Sequence, residues 1–107
     1  MIGADFLAHP DGWVAGFSIR GHADYSEAGS DIVCAAVSSA AYLVVNTVTD
    51  AMHVAPLSLR AEEGDLFFRV DQKDEEVCRA LFEGLKLHLQ QLEEQYPDHL
   101  RVGYIEI

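Results

Sequence analysis

The sequence predicts one α+β domain, a layer sandwich of order ββαββαβ in which a mixed or antiparallel sheet carries two helices. Three observations lead there. Side-chain patterning runs with a period of two, then turns helical near Asp31 and again near Asp74. Turn chemistry at His9-Pro10-Asp11-Gly12 and Glu62-Glu63-Gly64 splits the strand-like stretches into hairpins. A chain of 107 residues, 50% of them hydrophobic, can bury one core and not two.

Ile2 to Ala8 reads as the first strand, with poor alternation. In the second, Trp13, Ala15, Phe17 and Ile19 oppose Val14, Gly16, Ser18 and Arg20, so the two runs and their turn form a hairpin. Gly21 to Ser30 is polar and bounded by Gly21 and Gly29, which suits a flap with glycine hinges, or an ordinary turn. The first helix is expected to begin at Ser30 or Asp31, both good N-cap residues, and to run to about Thr49. It is apolar on nearly every face and so needs cover all round, from the sheet and from something else, for which a second copy of the chain is a candidate. Its apolar run from Ile32 to Val48, broken by serines, Asn46 and Thr47, is expected to fall short of the roughly 20 residues of a membrane span.

The period of two returns with Leu57, Leu59 and Ala61 on one face of a third strand, and Leu66 to Val70 forms the fourth. Asp74-Glu75-Glu76 places negative charge in the first turn of a second helix, where the dipole favours it. Val77, Cys78, Leu81, Phe82, Leu85, Leu89 and Leu92 make one apolar stripe. Tyr96-Pro97 ends that helix, and Arg101 to Ile107 is a last strand.

The formal net charge is −11, from 18 acidic and 7 basic residues. That argues against direct nucleic-acid binding and against an anionic membrane surface; it would steer in a basic partner. No secretory signal pattern is present, so the expected location is cytoplasmic and the two cysteines are expected as free thiols.

Chemistry concentrates at Cys34. With Asp31 as cap, Cys34 falls in the first turn of the helix, where unpaired N–H groups and the dipole favour a thiolate, the reactive species. His22 lies twelve positions earlier, and the intervening loop is long enough to bring its imidazole back to the sulfur as a general base. The same helix end could offer oxyanion donors, although an Asp31 cap would occupy the Cys34 N–H. A cysteine in an apolar helix and a histidine after a strand are equally what a core and a loop contain, and spacing alone leaves both readings open. There is no Cys-x-x-Cys, no arginine cradle after Cys34 and no glycine-rich nucleotide loop. His9, His53, His88 and His99 have no metal-ligand spacing, and Cys78 reads as core, so no metal or cofactor is expected. Ser38, one turn after Cys34, could hydrogen-bond near the site or back-bond to the helix. Tyr25 and Glu27 could touch substrate or be solvated.

The run Gly21-His22-Ala23, Tyr25, then Gly29-Ser30-Asp31-Ile32-Val33-Cys34-Ala35-Ala36-Val37-Ser38 resembles the signature of the ribosomal-processing cysteine proteases, the Prp or YsxB-like family. Gly84-Leu85, Tyr96-Pro97 and a last strand extend the likeness along the chain. Asp24 and Asp5 depart from the family pattern, one in the flap and one in the first strand. The resemblance implies an endopeptidase that removes the N-terminal extension of a basic large-subunit ribosomal protein. It implies Cys34 as nucleophile, His22 as base, and Asp31 and Ser38 as accompanying polar residues; Gly21, Tyr25 and Gly29 are the candidate substrate-binding residues of the flap read from the loop itself. The resemblance also implies a homodimer. Two rivals remain: a non-catalytic acidic dimer that holds a basic ribosomal protein during assembly, and a redox or metal sensor built on His22 and Cys34.

Overall fold

The computed structural model describes the backbone of residues 1–21 and 28–107, and the side chains of residues 1–21 and 32–107. The elements are β1 (Ile2–Ala8), β2 (Val14–Arg20), α1 (Ala28–Asn46), β3 (Ser58–Glu62), β4 (Asp65–Arg69), α2 (Glu75–Gln95) and β5 (Leu100–Glu106). The ββαββαβ order is as expected. The five strands form one sheet in the order β3-β4-β2-β1-β5. β1 and β5 run parallel, with Ile2 opposite Leu100 and Phe6 opposite Tyr104; the other neighbours are antiparallel, so the sheet is mixed.

Alternation sends one set of side chains toward the helices. Ile2, Ala4 and Phe6 of β1, Ala15, Phe17 and Ile19 of β2, and Leu66 and Phe68 of β4 are buried in a single core with residues of both helices. Four phenylalanines fill its centre: Phe17 lies 6.2 Å from Phe6, 5.7 Å from Phe68 and 6.0 Å from Phe82 between ring centroids. The Phe82 ring stands edge-on to Phe17 and Phe68, an arrangement that the ring quadrupoles favour. α2 contributes Cys78, Phe82, Leu85 and Leu89, much of the expected stripe. Val77, expected on that stripe, is 59% exposed, because it lies one step of 100° from Cys78 and rotates past the edge of the core.

The opposite face of the sheet carries most of its charged residues, beside Leu7, Phe67 and Ile105. Asp5, which spoils the alternation of β1, takes a bidentate pair of bonds from Arg101 on β5, at 2.9 and 3.0 Å. Gly3 and Gly103 make room for that guanidinium, since a Cβ at Gly3 would come within 2.6 Å of it. Asp65 is held in the same way by Arg60, at 2.9 and 3.2 Å.

Two expectations about the first helix are corrected. It starts at Ala28, not at Ser30 or Asp31, so Gly29 lies inside its first turn and not in a loop. Alanine is the strongest helix former, and a glycine next to the helix end costs less than the roughly 1 kcal/mol it costs in the interior. The helix also continues past Asn46 through a five-residue π turn, Thr47–Ala51, closed by Met52 N–H donating to the Thr47 carbonyl. The stretch Ile32–Ala51 is therefore 20 residues, long and apolar enough on those grounds alone to cross a membrane, contrary to the expectation that it falls short. In the fold one side of this helix is buried and the other is not. Val33, Val37, Ala41, Val44, Val45 and Val48 are buried, whereas Ile32, Tyr42 and Leu43 are exposed. The described residues thus cover one side only of a helix expected to need cover all round.

β2 and β4 approach closely at Gly16, where an added Cβ would lie 1.9 Å from the Phe68 carbonyl oxygen and 2.9 Å from the Arg69 Cα. Both neighbours are backbone and cannot move alone. Gly16→Ala is expected to destabilise the fold by about 2 kcal/mol or more, in the range of overpacking penalties, as read by urea unfolding; an unchanged midpoint would contradict this packing.

Candidate active site

Cys34 is the seventh residue of α1, counted from Ala28. It is not in the first turn, and Asp31, the fourth residue, is not the N-cap. The free N–H groups at the helix mouth belong to the first four residues, so the Cys34 N–H lies beyond them. The electrostatic argument from a capped first turn therefore does not apply as expected. The side chain of Asp31 lies outside the described residues, as do His22 and Tyr25.

The accessibility of the thiol follows from helical phase. Val33, Val37 and Ala41 are buried at four-residue spacing, and each next residue, Cys34, Ser38 and Tyr42, sits about 100° round the helix. That row lies at the margin of the core. Cys34 is half-buried, and Ser38 and Tyr42 are exposed. All three line a cavity of about 70 Å³ at one end of the sheet. Ile2, Ile19, Val37 and Leu66 supply its apolar lining, and Gly21, Glu62, Gly64 and Asp65 supply a polar one. The volume suits one modest side chain. Larger hollows of about 450 and 660 Å³ lie elsewhere and contain neither Cys34 nor Ser38, so the cysteine opens onto one of the smaller hollows.

Gly21 has a specific place here. Its φ is +127°, a region that side chains rarely adopt, and a Cβ would lie 2.3 Å from the Met1 carbonyl oxygen. Its N–H donates to the Gly64 carbonyl at 3.1 Å. The end of β2 is thus pinned between the start of β1 and the β3–β4 turn. Tyr42, Glu62 and Gly64 were not anticipated at the site. Tyr42 could have been found, since it stands two turns after Cys34 on one face. The turn residues could not, because their place depends on β4 pairing with β2.

Cys78 is fully buried, and desolvation together with the nearby Asp74 charge pushes its thiol up from the ordinary value. His9 and the buried Glu75 meet at 2.8 Å between Nε2 and Oε2. They stand beyond the far end of β1, away from Ile2 and the Cys34 cavity. Among the described residues, no group of three or more His, Cys, Asp or Glu could hold a metal ion.

The family model for cysteine protease Prp matches residues 1–101. The chain belongs to the cysteine protease Prp family. The ribosomal processing cysteine protease Prp of Bacillus subtilis strain 168 is 32% identical over 107 residues, covering 95% of this chain and 96% of that one. Among solved structures, the Prp of S. aureus in complex with a substrate peptide has a TM-score of 0.86 at 26% identity, covering 98% of this chain and 100% of that one. The same S. aureus protein with a covalently linked product peptide has a TM-score of 0.83 at 27% identity over the same shares. Prp membership makes the chain a cysteine protease by class, and the two-layer fold is that of the Prp structures.

The two thiols differ in access, and their alkylation should differ accordingly. Iodoacetamide is expected to modify Cys34 in the folded protein and to leave Cys78 unmodified until denaturant is added, as read by peptide mass mapping. Equal rates at both would contradict the burial described.

Proposed function

We propose that this protease removes the N-terminal extension of a large-subunit ribosomal protein, with Cys34 as nucleophile and His22 as general base. The observation that carries the reading is a half-buried cysteine opening onto a cavity, in a chain that matches a Prp structure containing substrate peptide. The His22 imidazole takes the thiol proton, and the sulfur attacks the scissile carbonyl. The nitrogen leaves with the proton from the imidazolium, and an acyl-enzyme remains. Water deprotonated by His22 then attacks the thioester, releasing the extension as a carboxylate and returning the proton to the sulfur. Ser38 on the cavity wall and Asp31 in the first turn are supporting residues, and Gly21, Tyr25 and Gly29 frame the substrate. No metal or organic cofactor enters these steps.

The partner is a basic ribosomal protein precursor, drawn in by a chain of net charge −11. The working form is a homodimer, with the exposed Ile32 and Leu43 of α1 covered by a second copy. Its location is the cytoplasm, where the thiols stay reduced.

Cys34→Ala and His22→Ala are each expected to abolish cleavage of the precursor while leaving the circular dichroism spectrum and melting curve close to the parent. Cys78→Ala should cleave at close to the parent rate. The readout is the mass of the ribosomal protein after incubation; normal processing by Cys34→Ala would refute the mechanism.

A further inference from the structure

We infer that the free edge of β3 is the docking rail for the substrate, which lies along it as an extended apolar segment and continues into the Cys34 cavity. The inference rests on the protease reading and adds the surface that holds the peptide. β3 is the outermost strand of the sheet, and among the described residues only β4 pairs with it. Every second residue of such a strand turns its N–H and C=O outward, and such rows accept another strand. Natural edges are usually guarded by proline, a bulge or charges. Ser58–Glu62 has no proline, its pairing with β4 runs without a register shift, and its two charged residues, Arg60 and Glu62, share the face opposite to Leu59 and Ala61. Arg60, opposite Phe67, belongs to the charged face of the sheet and is locked to Asp65.

On the helix side the strand is apolar and open. Leu59 lies opposite the core residue Phe68, and Ala61 opposite the core residue Leu66, so both point toward the helix layer. Yet Leu59 is 46% exposed, and Leu57, just before the strand, is 61% exposed. The strip leads to the site, because Glu62 at the end of β3 lines the cavity with Cys34 and Tyr42. A peptide paired with β3 would set alternate side chains over Leu59 and Ala61 and gain ladder hydrogen bonds. The strip thus selects apolar residues at alternate positions of the peptide, and it is continuous with the cavity that holds Cys34.

Two measurements test this on the full chain. In the first, Leu59→Asp is compared with the parent, using a labelled peptide that covers the extension and the start of the mature ribosomal protein. Cleavage should show KM raised about tenfold or more with kcat little changed. The same peptide should bind the Cys34→Ala protein about tenfold more tightly than the Leu59→Asp, Cys34→Ala protein. Iodoacetamide should alkylate Cys34 at parent rates in Leu59→Asp, and Leu87→Asp, at a comparably exposed leucine on α2, should keep the parent KM. In the second, single N-methyl groups are walked along the peptide with the parent enzyme. Affinity should fall at alternate residues, those whose N–H faces β3. If Leu59→Asp and every N-methyl peptide stay within about twofold of the parent in binding, the rail is refuted even if cleavage proceeds. Failure to cleave with alternating loss of binding would refute the protease reading and leave the rail standing.

Discussion

One packing contact governs the rest: the stripe of Val33, Val37, Ala41, Val44, Val45 and Val48 pressed on the sheet. Each of its valines contributes roughly 1.5–3 kcal/mol when removed from water, so the helix has little freedom to roll. With that stripe fixed, the neighbouring row of Cys34, Ser38 and Tyr42 must emerge at the core margin. Cys34 is therefore neither sealed among aliphatic side chains nor loose on the surface. Its depth is set by the valines and Ala41 of that stripe.

The elements legible in the sequence were those whose evidence is local. β1 was read with its bounds intact, and the other strands shifted by a residue or so, because alternation and turn residues carry that information without reference to distant chain. The start of α1 was misread because Gly29 and Ser30 look like loop residues, whereas Ala28 and the helix that follows recruit them. That shift of two or three residues moved Cys34 out of the first turn. Long-range facts were not legible. Nothing near Asp5 announces Arg101, which lies 96 positions away. The parallel pairing of β1 with β5, and the arrival of Glu62 and Gly64 beside Cys34 through the pairing of β4 with β2, follow from sheet order alone.

The distribution of charge also divides the molecule. A chain with so few cations places Arg20, Arg60, Arg69 and Arg101 on the charged face of its sheet, where Asp5 and Asp65 answer three of them. The excess acid is left to the helices and turns, so an approaching basic chain meets its strongest attraction away from that face. α1 presents a different surface, apolar and uncharged over Ile32, Leu43 and Tyr42.

The pairing of β1 with β5 bears on how the molecule comes together. The first strand sits between β2 and β5 and receives one of its two partners only after every other element has been laid down. Contacts spanning nearly the whole chain close slowly, since the loop entropy is lost before the hydrogen bonds are gained. Ile2, which walls the pocket around the thiol, is opposite Leu100 in that last ladder. A half-folded chain thus has no finished chamber around its sulfur.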